Sequence, residues 1–449
     1  MKILFATMPF DGHFNPLTGL AVHLRQRGHD VRWYTGPTYA RKLAALGVPH
    51  FPFERATDVN GENLNERFPE ASKRVGPKVI AFALEKIFFG NLEAHYKDIC
   101  ALHEGFPFEA IVFDGAFYAG RLVHEKLGIP AYPIYPAPTP APTSTRMPPP
   151  FFGLKPATNV FAKLRERIVN AMVESSTKSG MKILHALRAR EGLPPYVGSV
   201  FDLHVDTAEA IFQIGAPGMD YPRTHGPKQM QFVGALVPHK KSKGALPAAL
   251  EAKLEKYESL IAVSQGTIDN RDPDKLFVPS LTALSSPGSK HLVVVTTGGR
   301  HTDDLRKRFP QDNVVIEDFI DFDVLLPHAD LFICNGGFGS VMRALVNGVP
   351  VLAAGKLEGK NDINARLDHC GLALDLETER PTAKQIAAGV DRVLGDARYR
   401  ERVAAVRAEL ATYDAFAIIE NAIVGRNARV TPSCAEIRSG KPIEESRSS

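Results

Sequence analysis

The stretch FICNGGFGSV, residues 332–341, decides how the second half of the chain is expected to fold. Its apolar beginning predicts a buried strand, and residues 340–348, which Gly348 ends, predict a helix. A glycine-rich turn lies between them, and such a turn presents backbone N–H groups to an anion such as a phosphate. A tight strand-to-helix turn that binds no ligand is the alternative.

Short apolar strands alternate with helical segments along the whole chain. The strands are expected at residues 2–8, 30–36, 110–114, 129–135, 260–266, 291–298, 314–320, 330–336 and 349–355. Apolar strands separated by amphipathic helices predict parallel sheets that helices cover on both faces. The predicted fold class is therefore α/β, with two doubly wound Rossmann-like domains in tandem.

The length of 449 residues also predicts more than one domain. We expect a first domain at residues 1–236, a polar linker at 237–250 and a second domain at 251–425, whose last helix can return to the first domain. Residues 426–449 are expected to form a polar tail. The proline-rich segment 136–156 is interpreted either as a stiff surface loop or as a cover over the substrate.

Composition excludes several classes of function. The net charge is +4, from 54 basic and 50 acidic residues, which is too balanced for a nucleic-acid partner. The cysteines, Cys100, Cys334, Cys370 and Cys434, are far apart, which favours a reducing compartment and argues against structural zinc.

No run approaches the roughly 18 apolar residues of a transmembrane helix. The apolar residues 3–8 are too few for a signal peptide. We therefore expect a cytoplasmic protein without a transmembrane segment.

Polar residues and glycines follow several of the expected strands, at the edge where doubly wound sheets bind ligands. His13 follows the first strand and Asp114 ends the strand 110–114. A histidine held by a carboxylate is a suitable general base near neutral pH, although both residues could instead cap a turn and a helix. In the second half, the turns 264–267, 296–299 and 335–340 favour a phosphorylated ligand.

Other motifs carry less information. Residues 337–342, GFGSVM, match only part of the dinucleotide-binding pattern, so a nicotinamide or flavin site is not expected. The DxD patterns at 272–274 and 321–323 are short, and Asp272 before Pro273 is interpreted as a helix cap. The chain has no Walker A motif and no GxSxG nucleophile elbow.

Taken together, these motifs resemble those of a known family. GHFNPL at 12–17, the aspartate after IVF and NGGFGSVMRALVNGVPVL at 335–352 resemble the family 1 UDP-glycosyltransferases. REGLPP at 190–195 and FVGALV at 232–237 fit the same spacing. The resemblance is closest to the bacterial branch that glycosylates macrolides, phenolics and other natural products, and it covers nearly the whole chain.

This resemblance implies the GT-B fold, in which an acceptor domain and a donor domain face each other across a cleft. It implies inverting transfer without a metal or other cofactor, from UDP-glucose or a related UDP- or dTDP-sugar to a small-molecule acceptor. His13 matches the family's base and Asp114 matches the partner that holds its imidazole. The implied donor-binding residues are Gly12, Gln265, Gly266, Thr267, Phe319, Ile320, Asn335, Gly336, Gly337, Phe338, Gly339 and Ser340.

Three departures from the family are visible. Asn335 stands where the family usually has a histidine, and Phe319 stands where it has a tryptophan. The usual acidic-glutamine pair for the sugar hydroxyls is missing, and Glu358, Lys360 and Asp362 are expected to substitute for it. For a lipophilic or aromatic acceptor, the expected contacts are Phe10, Phe82 and Phe117, although most phenylalanines of the first half are expected in the core instead.

Two rival functions fit much of the same sequence. A sugar-nucleotide epimerase of related architecture would need further carboxylates in the cleft and no acceptor. A catalytically degenerate homologue would bind nucleotide or serve as a partner subunit, and Asn335 is the residue that favours it. The oligomeric state is left open.

Overall fold

The computed structural model describes residues 1–70, 74, 76–139, 147–223, 227–239, 245–266 and 269–430. In these residues the chain forms two parallel β-sheets, one in each half. Helices lie between the strands, as the predicted α/β fold with two doubly wound units requires, and this prediction is confirmed.

The first sheet has seven strands in the order β3-β2-β1-β4-β5-β6-β7, and all paired strands are parallel. The strands are β1 (Lys2–Ala6), β2 (Asp30–Thr35), β3 (His50–Pro52), β4 (Ala110–Asp114), β5 (Ala131–Tyr135), β6 (Ile211–Gln213) and β7 (Met230–Phe232). The α-helices are α1 (Asp11–Phe14), α2 (Thr18–Gln26), α3 (Ala40–Leu46), α4 (Leu64–Arg67), α5 (Pro77–Phe82), α6 (Leu92–Gly105), α7 (Ala119–Leu127) and α8 (Val160–Arg190). A π-helical segment, Ala83–Phe88, continues α5.

The second sheet has six parallel strands in the order β10-β9-β8-β11-β12-β13. The strands are β8 (Ser259–Ser264), β9 (His291–Thr296), β10 (Val314–Glu317), β11 (Leu331–Cys334), β12 (Val351–Ala353) and β13 (Ala373–Asp375). The α-helices are α9 (Ala248–Glu251), α10 (Phe277–Leu284), α11 (Thr302–Arg308), α12 (Phe322–Leu325), α13 (Phe338–Val346), α14 (Lys360–His369), α15 (Ala383–Gly395), α16 (Ala397–Leu410) and α17 (Ala415–Val430). Short 3-10 turns supplement these helices in both halves.

All nine predicted strands are present, eight of them with shorter bounds, and the sequence did not predict the short strands β3, β6, β7 and β13. The strand predicted at 110–114 has those same bounds in the structure. The strand predicted at 314–320 ends at Glu317, because Asp318 accepts a hydrogen bond from the Thr302 hydroxyl and Phe319 turns out to solvent. The central strands β1, β4, β8 and β11 are almost fully buried, and each buried Val, Leu or Ile contributes roughly 1.5–3 kcal/mol to stability.

The strand order reverses next to β1 in the first sheet and next to β8 in the second. A chain that turns to opposite sides from two neighbouring strands leaves a crevice at their carboxyl ends, and ligands of doubly wound proteins bind there. The crevices lie between β1 and β4 and between β8 and β11. His13 follows β1, Asp114 ends β4, and the glycine turn at Asn335 follows β11.

The last helix, α17, packs against α2 of the first half. The ring of Phe416 stacks on that of His23 with centroids 5.1 Å apart, and Glu420 bonds His23 Nε2 at 2.7 Å. A Cβ at Gly19 would lie 2.4 Å from the carbonyl oxygen of Val237 and 3.0 Å from Phe416, so this close approach requires glycine. The domain bounds given above stay a prediction. Among the residues that the structure describes, no helix is both long and apolar enough to cross a membrane.

A buried polar network lies beneath the first sheet's carboxyl edge. The Tyr34 hydroxyl donates to Asp98 at 2.8 Å and lies 3.0 Å from His95 Nδ1. Asp98 also receives the backbone N–H groups of Glu54 and Arg55 and a guanidinium N–H of Arg55 at 3.0 Å. Burial lowers the pKa of His95 to about 4, although the neighbouring carboxylates oppose this shift. His95 is therefore neutral in the folded protein near neutral pH.

We expect His95→Asn to reduce the loss of stability on acidification. Below pH 6.5 the unfolded chain protonates His95 and the folded chain does not until about pH 4. In the wild type this difference removes up to about 2–3 kcal/mol of unfolding free energy over that range. Asparagine keeps a donor toward Tyr34 but does not titrate. Urea unfolding at pH 7 and pH 4.5 measures the effect. If the unfolding free energy falls by the same amount between these two pH values in the wild type and the variant, the prediction is wrong.

Candidate active site

The Asp114 carboxylate holds His13 at the crevice between β1 and β4. Oδ1 of Asp114 lies 2.7 Å from His13 Nδ1 and also accepts the N–H of Ala116 at 2.9 Å. Its other oxygen accepts the N–H of Met8 at 2.8 Å. Asp114 is fully buried, whereas the His13 side chain is 27% exposed. Since a carboxylate only accepts, the imidazole carries its proton on Nδ1, and Nε2 is the nitrogen that can take up another.

The glycine-rich turn at residues 335–340 is built around Asn335. Asn335 Nδ2 donates to the backbone oxygen of Gln265 at 2.7 Å, and its Oδ1 accepts the N–H of Gly337 at 3.3 Å. This nearly buried amide therefore bridges the turn after β8 and the turn after β11. The sequence indicated a substitution for histidine at this position, but the bridge has no local sequence signal.

The glycines of this turn differ in whether the protein has room for a Cβ atom at their positions. Gly336 has φ +82°, and a Cβ there would lie 1.8 Å from Asn364 Oδ1, so the fold itself requires glycine. A Cβ at Gly337 would make an ordinary 3.6 Å contact with Asn335, and one at Gly339 would have no atom within 4 Å. Open space therefore lies in front of Gly339, in the first turn of α13. No described side chain caps that helix, whose dipole is positive at this end.

The other predicted donor residues border the same edge. Gln265 is tied into the fold by its side chain, which donates to the Asp272 carbonyl at 2.6 Å, and Gly266 has φ +78°. Phe319 is 74% exposed and lies over Gly299, so its ring is available for stacking. The remaining predictions fall at Ile320, which is buried, at Phe338 and Ser340, which are half-buried in α13, and at Thr267, which lies outside the described residues.

Both DxD patterns are helix caps. The Asp272 side chain accepts the N–H of Asp274 at 3.1 Å at the start of a 3-10 turn, as predicted, and it also pairs with Arg380. The Asp321 side chain caps α12 by accepting the N–H of Asp323 at 3.0 Å.

Two of the predicted acceptor contacts are core residues. Phe117 is fully buried and packs against Tyr34 and His95, and Phe82 is 6% exposed within the same core. The structure therefore does not support them as acceptor contacts, because residue type alone does not distinguish a core phenylalanine from a cleft one. Phe10 is half-buried, and its ring centroid lies 6.0 Å from that of His13. A Cβ at Gly12 would meet no atom within 4 Å.

The residues expected to contact the donor sugar lie at the start of α14. Lys360 is nearly buried and pairs with Glu358 at 2.8 Å, so each of these side chains already has an ionic partner. Asp362 binds a loop of the first half, since its oxygens accept the backbone N–H groups of Phe151 and of Gly153, the latter at 2.7 Å. Burial raises the pKa of the Asp362 carboxyl. The structure thus shows Asp362 as a loop contact where the sequence predicted a sugar contact.

A second contact between the halves lies one turn further along α14. Arg366 Nε donates to Asp220 at 3.0 Å, and Arg223 donates to the same carboxylate at 2.6 Å and 2.8 Å. The Arg366 guanidinium also lies 4.8 Å from the ring centroid of Tyr221. Sequence reasoning missed this buried cluster, because its partners are 146 residues apart and share no motif.

Comparisons with known proteins agree with this architecture. The family model for the C-terminal domain of erythromycin biosynthesis protein CIII-like proteins matches residues 287–421. The 4'-demethylrebeccamycin synthase of Lentzea aerocolonigenes is 32% identical over 420 residues, covering 92% of this chain and 96% of that protein. UDP-glycosyltransferase 2 of Phaeomoniella chlamydospora is 27% identical over 439 residues, 94% of each chain. The solved structure of CalG4, the calicheamicin glycosyltransferase, shares the fold with a TM-score of 0.72 at 19% identity, covering 96% of this chain and 99% of that one.

We expect Asp362→Ala to release the loop around Phe151. The substitution removes charge-assisted hydrogen bonds to two backbone N–H groups, each of which contributes roughly 1.5–3 kcal/mol. Chymotrypsin should then cleave after Phe151 or Phe152 at least about tenfold faster than in the wild type. Lys155→Ala is the matched control, because its ion pair with Asp368 is partly exposed and contributes little. Equal cleavage rates in the two variants would contradict the anchoring role of Asp362.

Proposed function

The chain belongs to the family 1 glycosyltransferases of natural-product pathways, and on that premise we propose which reaction it catalyses and how. It transfers a sugar from a nucleoside-diphosphate donor to a hydroxyl group of a small lipophilic or aromatic natural product. The configuration at the anomeric carbon inverts, since one nucleophile displaces one leaving group. The observation that carries the proposal is the 2.7 Å contact between His13 and the buried Asp114 at the crevice of the first sheet.

His13 acts as the general base in this proposal. Nε2 takes the proton from the acceptor hydroxyl as its oxygen attacks the anomeric carbon, and the bond from that carbon to the diphosphate breaks. Asp114 keeps the proton on Nδ1 and stabilises the imidazolium that forms. General bases of this kind contribute roughly 10²–10⁴-fold to rate. The hydrogen bonds from Met8 and Ala116 keep the carboxylate in place during the step.

The diphosphate lies in the open space before Gly339. Backbone N–H groups of the first turn of α13 face it, and the helix N-terminus supplies a charge equivalent to about +0.5. This stabilisation of the leaving group supports transfer without a metal ion. Asn335 holds the turn after β8 and the turn after β11 together. We assign it this positioning role because its Nδ2 already donates to the Gln265 carbonyl. Phe319 stacks on the base, which is uracil or thymine.

The acceptor lies beside Phe10, whose ring is close to that of His13. Half-buried aromatic surface beside the base favours a lipophilic or flat molecule. The epimerase alternative has no support among the relatives described above. The degenerate-homologue alternative rests on Asn335, and the bridge that Asn335 forms between the turns gives it a role in a working site.

We expect His13→Ala to reduce transfer by roughly 10²–10⁴-fold while UDP binding stays unchanged. Asp114→Asn should also slow transfer, because an asparagine cannot stabilise the imidazolium. The measurement is release of UDP from UDP-glucose, or of dTDP from dTDP-glucose, with phenols and macrolides as acceptors. Thermal unfolding of each variant reports separately on its stability. Unchanged turnover of His13→Ala would show that another group takes the proton.

Two alanine substitutions test whether the diphosphate binds in front of Gly339. Gly339→Ala should leave the unfolding temperature unchanged or raised, since its Cβ meets no protein atom and alanine favours helix. It should nevertheless weaken UDP binding, because the methyl group occupies the space assigned to the phosphate. Gly336→Ala is the contrast, and it should lower the unfolding temperature through its positive φ and its overlap with Asn364. Calorimetric binding of UDP that is the same in wild type and Gly339→Ala would place the diphosphate elsewhere.

A further inference from the structure

The outward face of α8 is apolar along the first half of the helix. Phe161 is 84% exposed, and the other large apolar side chains of this face are between 42% and 78% exposed. They are Val160, Leu164, Ile168 and Met172. Spacings of three and four residues place them in one stripe along the helix. The stripe therefore faces solvent, although apolar helix faces ordinarily face a core.

The other side of the same helix packs against the core of the first half of the chain. Val173 and Leu184 are buried in that core, and at 100° per residue they lie on the side opposite the stripe. α8 is thus apolar on two faces, and only one of them has a partner among the described residues. The exposed stripe amounts to on the order of 500 Å² of apolar surface, near the upper end of what a monomer usually leaves open.

Basic side chains border the stripe on both sides. The exposed residues Arg165 and Arg167 lie about 80° to either side of its centre on the helical wheel. Lys163 and Glu174 are also exposed and lie further round on the side of Arg167. An apolar stripe between arginines is the pattern by which a helix lies in the headgroup region of an anionic membrane.

A second copy of the chain fits this stripe less well. A two-fold contact sets each stripe against itself, so the flanking arginines of both copies would gather around one seam. The apolar area is also smaller than the roughly 800 Å² per partner of a standard stable interface. A negatively charged lipid surface has neither disadvantage, because it supplies counter-charges to Arg165 and Arg167.

We propose that the α8 stripe, residues 160–172, binds the surface of a membrane that contains anionic lipids. The apolar side chains enter the headgroup region, and the two arginines bind lipid phosphates. The stripe begins seven residues after Gly153, whose N–H binds Asp362, so at most about 25 Å of chain separates it from the edge of the candidate active site. The protein would then bind a membrane with the entrance for a lipophilic acceptor nearby. Membrane binding itself does not require the proposed transfer reaction.

Vesicle sedimentation tests this proposal with the whole chain. The wild type should sediment with vesicles of equal parts phosphatidylglycerol and phosphatidylcholine and bind pure phosphatidylcholine vesicles roughly tenfold more weakly. The double variant Leu164→Glu, Ile168→Glu should lose at least about tenfold in affinity for the anionic vesicles. Its fold should be retained, since both side chains are more than half exposed. Val197→Glu is the matched control, because Val197 is 94% exposed beyond the other end of α8.

Each other outcome would overturn the proposal. Failure of the wild type to sediment, or equal sedimentation of the double variant, would exclude a lipid-binding role for the stripe. A wild-type dimer in analytical ultracentrifugation that becomes monomeric in the double variant would assign the stripe to a second copy. Loss of transfer to a water-dissolved acceptor with vesicle binding intact would assign it to the acceptor site.

Discussion

The part of the candidate site in the first half of the chain depends on the hydrogen bonds of the buried Asp114 carboxylate. The carboxylate receives hydrogen bonds from the loop after β1, through Met8, and from the residues after β4, through Ala116. A carboxylate removed from water is costly unless donors surround it. The two loops therefore cannot separate without leaving this charge unpaired. His13 completes the donor set, so the interaction that closes the crevice also orients the imidazole.

Much of this arrangement can be predicted from sequence, because parallel strands place their carboxyl ends at one edge. That rule is enough to bring His13 and Asp114 together and to set the glycine turn at Asn335 near the turn at Gln265. The same rule does not predict the contacts of α14. Asp362 accepts hydrogen bonds from the backbone N–H groups of residues 151 and 153 in the other half, and such groups have no sequence signature. Nor does the rule separate Phe117, which is buried in the core, from Phe10.

Helix α14 connects the second half of the chain to the first half. Asp362 and Arg366 lie one turn apart on it, and both bind groups of the first half. The Asp220–Arg366 pair is buried, and separating its partners would leave both charges without compensation. The relative placement of the two sheets is thus defined next to Glu358 and Lys360, two of the residues that the family resemblance predicts as sugar contacts.

The close packing at Gly19 has a consequence for how such chains can change. The carbonyl of Val237, where the chain leaves the first half, and the ring of Phe416, where it returns, both approach Gly19. The second sheet with its helices is therefore an insertion whose two ends meet at one point on α2. Domains whose ends lie close together can be exchanged as units without disturbing the fold that receives them. The second half is therefore a unit that enters and leaves the first half at one place, and an exchanged unit would need to restore the further contacts of Asp362 and Arg366 with the first half.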